Sequence, residues 1–150
     1  MIFVDASFYL RYLIQPVTPQ DRVNERRAAA LFASVDSGAA EVTTSEAILA
    51  EVAFILTSPR HYGASRSTAA AGLKALLGPR SCRMPAKEVS LRALDIWVAH
   101  PELSFPDALG AAYCALRGFE LATFDNRLVA RTRRHHVCGA VREGGAPPEC

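Results

Sequence analysis

The chain has 150 residues, half of them hydrophobic, which is enough for a single domain with a substantial core. Its 17 basic and 15 acidic residues leave a formal net charge of +2, too small by itself to indicate a nucleic-acid ligand. No apolar run reaches about 18 residues, and the N-terminus lacks the basic and apolar regions of a signal peptide. We therefore expect a cytoplasmic protein with no membrane span.

The first strand is predicted at residues 2–4, where a continuous apolar run is typical of a parallel strand buried on both faces. Asp5 follows this strand directly, and a short helix is predicted at residues 8–14. A carboxylate at the C-terminal end of a central parallel strand faces the crevice in which open α/β sheets bind ligands. The alternative is that Asp5 or Ser7 only caps the helix, and Asp5 alone does not decide between these interpretations.

The second helix has a clear start, because Thr18 is a capping residue, Pro19 fits the first helical position and Asp21 completes a capping box. We predict that this helix runs to about residue 36 and that its basic residues lie on a solvated face. A short strand is predicted at residues 41–43 and a helix at 45–57. Two further helices are predicted at residues 65–77 and 86–99, with a short edge strand at 82–84 between them.

Glu51, on the helix predicted at residues 45–57, is a further candidate site residue. With Ile48 as the origin of a helical wheel at about 100° per residue, Val52 falls near 40° and Ile55 near −20°. Glu51 then falls at about −60°, on the flank of the expected buried stripe, and Glu46 at about 160°, on the opposite face. Glu46 has a simpler explanation, since an acid in the first turn favours the helix dipole.

The last third of the chain repeats the pattern of strand, acid and helix. Ser104 and Asp107 fit a capping box that opens a helix through residue 117, and Gly118 ends it. A buried strand is predicted at residues 121–124, directly before Asp125, and a short helix at 126–131. A last strand is predicted at residues 137–141, which gives a domain at residues 1–141 and a disordered tail at 142–150.

Strands and helices alternate, so we predict an α/β fold with a mainly parallel central sheet, helices on both faces and right-handed crossovers. In a parallel sheet the strands end at one edge and the following helices begin there. Asp5, Asp107 and Asp125 are therefore expected to converge, with Glu51 beside them. Taken singly, each acid also has a credible structural explanation.

Four carboxylates held close together repel one another, and a bound cation removes that repulsion. Ligand sets made only of oxygen suit hard ions such as Mg²⁺ or Mn²⁺, and these sites catalyse phosphoryl chemistry. No phosphate-binding glycine loop, dinucleotide fingerprint, nucleophile elbow or H-E-x-x-H motif competes with this interpretation. A metal-dependent phosphodiesterase is therefore one interpretation of these residues, beside a structural role for each acid.

The cysteines and histidines do not predict a second site. Four scattered cysteines show no C-x-x-C spacing and are typical of reduced thiols. His135, His136 and Cys138 lie too close together in the chain to surround one ion.

Four segments resemble the PIN-domain proteins of the VapC-like toxin group, in the order and spacing of that family. They are Ile2-Phe3-Val4-Asp5-Ala6-Ser7, Ile48-Leu49-Ala50-Glu51-Val52, Ser104-Phe105-Pro106-Asp107-Ala108 and Leu121-Ala122-Thr123-Phe124-Asp125. The resemblance covers residues 1–141. It implies a three-layer α/β/α sandwich, a divalent metal site, cleavage of single-stranded RNA, a homodimer and a cognate antitoxin protein.

Carried over residue by residue, the resemblance makes Asp5, Glu51, Asp107 and Asp125 the catalytic and metal-binding acids. Ser7 matches a hydroxyl residue that positions a water or a phosphate. Glu51 is the weakest of these correspondences, because Glu46 lies five residues away.

Arg127 and Arg131 belong to a basic segment that we expect to clamp a backbone phosphate, since a guanidinium binds phosphate through two hydrogen bonds. A solvated helix face is the simpler interpretation of the same segment. Two other functions stay open: a catalytically degenerate PIN-like module that binds RNA or a partner, and a phosphohydrolase acting on another phosphoester. Four acids are compatible with one metal ion or with two.

Overall fold

The computed structural model describes residues 1–134 and 141–143, which form seven helices and four short strands. The chain divides into two compact units, Met1–Lys87 and a second that begins at Glu88. The first contains β1 (Ile2–Phe3), α1 (Ala6–Leu13), α2 (Pro19–Asp36), β2 (Val42–Thr43), α3 (Glu46–Thr57) and α4 (Arg66–Leu77). The second contains α5 (Lys87–Ala99, apart from its first residue), α6 (Phe105–Arg117), β3 (Leu121–Thr123), α7 (Asn126–Arg134) and β4 (Val141–Glu143).

The sheet of the first unit is built by the parallel pairing of β1 with β2, in which Ile2 lies opposite Val42. Val42 also forms a parallel bridge with Cys82, so the edge strand predicted at residues 82–84 is reduced to a single bridge. Because both strands run in the same direction, they end at the same edge, where α1 and α3 begin.

The sheet of the second unit pairs β3 with β4, again in parallel, with Leu121 opposite Val141. The strand predicted at residues 137–141 overlaps β4 only at Val141, and residues 135–140 lie outside the described residues. Strand β4 takes in the first two residues of the predicted tail, and residues 144–150 of that tail are likewise not described.

Capping chemistry sets the helix boundaries that were predicted best from the sequence. In α2 the backbone N–H of Asp21 donates to Thr18 Oγ1 at 3.1 Å, and the backbone N–H of Thr18 donates to Asp21 Oδ2 at 3.0 Å. Gly118 ends α6 with φ of +69°, a left-handed conformation that costs glycine little. Helix α1 begins two residues earlier than predicted, at Ala6, and α7 extends to Arg134.

Helix packing supplies the core of the first unit, where α1 lies against α2 and α3, and α3 lies against α4. Tyr9 is fully buried, and its ring centroid is 5.6 Å from that of Phe32. In the second unit, the residues that α5 buries include Val89, Ala93, Ile96 and Trp97.

Two predictions of strand burial are wrong. Ile2 and Phe3 of β1 are 46% and 59% exposed, and only Val4, just after the strand, is buried. Phe124, the last residue of the predicted strand at 121–124, follows β3 and is 89% exposed. Burial within the first sheet is uneven, because Val42 of β2, which lies opposite Ile2, is fully buried.

Among the described residues, no helix combines the length and the hydropathy that crossing a membrane requires.

Candidate active site

Asp5 joins the end of β1 to the start of α1, where it is the N-cap residue. Its Oδ1 accepts a hydrogen bond of 2.8 Å from Ser7 Oγ and one of 3.3 Å from the backbone N–H of Phe8. Within the described residues Oδ2 has no hydrogen-bond partner. The two interpretations of Asp5 are therefore compatible, because one oxygen caps the helix while the other is available to a ligand.

Thr44 holds the backbone immediately before Asp5, a role that was not predicted from the sequence. The backbone N–H of Val4 donates to Thr43 O at 2.9 Å, and Thr44 Oγ1 donates to Val4 O at 3.0 Å. Thr44 is buried, so this hydrogen bond is shielded from water. A hydroxyl residue directly after a predicted strand was the available signal.

Glu51 lies on α3, but the predicted phase of this helix is wrong. The residues that α3 buries are Leu49, Val52, Ala53 and Leu56, whereas Ile48 and Ile55 are only half-buried. The centre of the buried stripe therefore falls at about 90° on the wheel, roughly 150° away from Glu51. Glu51 is exposed on the face opposite the core, because α1 and α4 pack against a different side of α3 from the one predicted.

Asp107 occupies the third position of α6 and forms the predicted capping box with Ser104. Its Oδ2 accepts from the Ser104 hydroxyl at 2.6 Å and from the Ser104 backbone N–H at 3.1 Å, while its own N–H donates to Ser104 Oγ at 3.2 Å. Among the described residues Oδ1 accepts no hydrogen bond. Asp107 thus has the same arrangement as Asp5, with one oxygen held and the other available.

Asp125 follows β3 and lies at the first turn of α7. Its backbone N–H donates to Thr123 Oγ1 at 3.0 Å, and its Oδ1 accepts from the backbone N–H of Leu128 at 3.3 Å. All three predicted aspartates therefore stand at helix N-termini, where the helix dipole favours a negative charge.

The four predicted acids are divided equally between the units, with Asp5 and Glu51 in the first and Asp107 and Asp125 in the second. Among residues 1–134 and 141–143, no three His, Cys, Asp or Glu side chains form a group that could hold a metal ion. Coordination of one ion by the four acids stays a prediction. The side chains of Arg127 and Arg131, and all of His135, His136 and Cys138, lie outside the described residues.

The donor chemistry of these acids fits a hard divalent ion. Asp5 and Asp107 each offer a carboxylate oxygen that the described residues do not use, and the other oxygen of each fixes its direction. Carboxylate oxygens are the ligands that Mg²⁺ and Mn²⁺ prefer.

Residues 2–134 match the PIN domain family. This match covers most of the chain, so the protein belongs to the PIN domain family. PIN domains are generally nucleases that use divalent metal ions, and membership confirms the predicted α/β/α fold class. A comparison with curated proteins gives no match.

Proposed function

We propose that this PIN domain is a metal-dependent endoribonuclease in which Asp5, Glu51, Asp107 and Asp125 form the binding site for Mg²⁺ or Mn²⁺. The observation that carries the proposal is the shared construction of Asp5 and Asp107. Each carboxylate is oriented by hydrogen bonds to one oxygen, and the other oxygen has no partner within the described residues. A ligand oriented in advance loses little conformational freedom when it binds an ion.

The four acids have different tasks in this proposal. Asp5 and Asp107 hold the ion directly, while Glu51 and Asp125 complete the set or orient its waters. When bound, a divalent ion lowers the pKa of a coordinated water and stabilises negative charge on the phosphate. Ser7 orients the Asp5 carboxylate through its 2.8 Å hydrogen bond, and in this proposal its hydroxyl oxygen also contacts the water or the phosphate.

The basic residues of α7 bind substrate in this proposal. Arg127 and Arg131 follow Asp125 within two turns of helix, and a guanidinium at this position would hold a neighbouring phosphate of the RNA strand.

The biological role that we propose is that of a toxin in a toxin–antitoxin pair, acting in the cytoplasm as a homodimer. Its support is the resemblance of four segments, in order, to the VapC-like group. The cognate antitoxin would be the physiological partner protein.

Cleavage assays with the purified full chain test the proposed activity. Labelled single-stranded RNA, structured RNA, single-stranded DNA and a generic phosphodiester are incubated with Mg²⁺ or Mn²⁺, and a chelator serves as the control. We expect cleavage of RNA that requires the metal. Cleavage of DNA or of the generic ester alone would indicate another phosphohydrolase, and RNA binding without cleavage in any metal would indicate a binding module.

A further inference from the structure

A pocket of about 240 Å³ lies between α1 and α2, within the first unit. It is lined by Ser7, Phe8, Arg11, Asn24, Arg27 and Ala28. Pockets for whole small molecules usually occupy roughly 300–1,000 Å³. This smaller pocket has the size for a phosphate group and part of the attached nucleoside.

Apart from Ser7, whose hydroxyl donates to Asp5, the polar lining residues of the pocket carry groups that can donate hydrogen bonds to an anion. Arg11 Nη1 lies 2.5 Å from Asp21 Oδ1, which holds this guanidinium beside α2. Arg27 is exposed and has no ion pair or hydrogen bond within the described residues. Asn24 Oδ1 accepts from Gln20 Nε2 at 3.2 Å, so the Asn24 amide nitrogen keeps its donors.

Ser7 connects this pocket to the candidate active site, because it lines the pocket and also donates to Asp5 Oδ1. Phe8, the next residue along α1, lines the pocket and is 39% exposed. Proteins that bind single-stranded nucleic acids combine basic groups along the backbone with aromatic rings on which bases stack. Basic groups and an aromatic ring are both present in this pocket, and Ser7 connects the pocket to Asp5.

We propose that this pocket binds a backbone phosphate of the single-stranded substrate, adjacent along the strand to the phosphate that is cleaved. Arg27 is its main contact, Arg11 and Asn24 support it, and Phe8 stacks on the neighbouring base. The inference rests on the proposed nuclease function, and it makes the substrate a single strand, since a paired base is not free to stack on Phe8.

Fluorescence anisotropy of the full chain with a labelled oligouridylate tests the subsite, in a chelator so that no cleavage interferes. Arg27→Ala is compared with Arg26→Ala, the neighbouring exposed arginine on α2 that does not line the pocket. We expect Arg27→Ala to weaken binding on the order of tenfold, as the loss of a hydrogen bond to a charged group does. The slope of log affinity against log salt should fall by about 0.7, the value for one phosphate contact on a single strand. Arg26→Ala should change neither quantity by a comparable amount.

Equal losses in the two variants, or no loss in Arg27→Ala, would overturn the subsite. Arg27→Ala should weaken the binding of an oligodeoxyuridylate by the same factor, because a contact to phosphate does not distinguish ribose from deoxyribose. The proposed function fails separately. If wild-type protein binds RNA and Arg27→Ala does not, yet no metal supports cleavage, the subsite stands and the nuclease does not. If the wild-type protein cleaves RNA and Arg27→Ala binds it with unchanged affinity, the nuclease stands and the subsite does not.

Discussion

Thr44 donates a hydrogen bond of 3.0 Å to the backbone oxygen of Val4, the residue that precedes Asp5. Thr44→Val keeps the side-chain shape but removes this donor. Because the buried Val4 oxygen then lacks this hydrogen bond, the unfolding free energy should fall by about 1–3 kcal/mol. Urea denaturation measures the loss, and the slope of the transition should be unchanged. Thr44→Ser keeps the hydroxyl and is the control. No loss of stability in Thr44→Val would show that this hydrogen bond does not stabilise the fold.

Asp5→Asn should abolish metal-dependent cleavage without unfolding the protein. Asparagine caps helices about as well as aspartate, so α1 keeps its start while the ionic ligand is lost. Circular dichroism and RNA cleavage with Mn²⁺ are measured on the same preparation. Near-normal activity, or a variant that does not fold, would contradict the role proposed for Asp5.

A divalent ion should stabilise the wild-type protein because it binds only the folded state. At 100 times its dissociation constant the gain is about 2.7 kcal/mol. For a chain of this length that corresponds to roughly 5–11 °C in Tm. Differential scanning fluorimetry with Mn²⁺ and with Na⁺ at equal ionic strength distinguishes coordination from screening. Asp107→Asn should lose most of the shift, and an equal shift in this variant would remove Asp107 from the site.

Glu51→Gln should lower activity and leave stability almost unchanged, since Glu51 is exposed and faces away from the buried stripe of α3. Substitutions at such positions usually change the unfolding free energy by no more than about 0.5 kcal/mol. Glu46→Gln, in the first turn of the same helix, is the matched control and should keep most of the activity. The reverse result would make Glu46 the fourth acid.

Tyr9 should titrate only in strong alkali. Its burial, and then the negative charge that the neighbouring Cys82 carries as a thiolate, raise the pKa of its hydroxyl to about 12. Because the folded pKa exceeds the unfolded one of about 10, the stability linked to the neutral form is complete below pH 10 and is lost as the pH rises through 12. Tyrosinate absorbance against pH, in wild type and Tyr9→Phe, measures this. If Tyr9 titrated near pH 10 while the protein was still folded, its hydroxyl would not be buried.

Local chemistry accounts for the features that were predicted correctly from the sequence. The capping pairs Thr18 with Asp21 and Ser104 with Asp107 involve residues three positions apart, so their hydrogen bonds follow from the chain itself. The parallel direction of the strands followed from their alternation with helices.

Burial was predicted less well, because it depends on which elements come to pack together. The wheel of α3 placed Ile48 at the centre of the stripe, although the fully buried residues of this helix are Leu49, Val52 and Ala53. An apolar helix such as α3 has several candidate faces, and only the packing of α1 and α4 selects one. Likewise, the apolar runs at residues 2–4 and 121–124 did not indicate that Ile2, Phe3 and Phe124 are exposed.

The capping hydrogen bonds of Asp5 and Asp107 affect how an aspartate at these positions should be interpreted in other PIN domains. A relative that had lost its nuclease activity would still need a capping side chain at both places, since the helix start depends on it. Selection for folding alone would then retain aspartate, asparagine or serine at position 5, the N-cap of α1, and a capping-box residue such as aspartate, glutamate or glutamine at position 107. Survival of the acid in an inactive paralogue is therefore expected, and its presence alone is a poor diagnostic of catalysis.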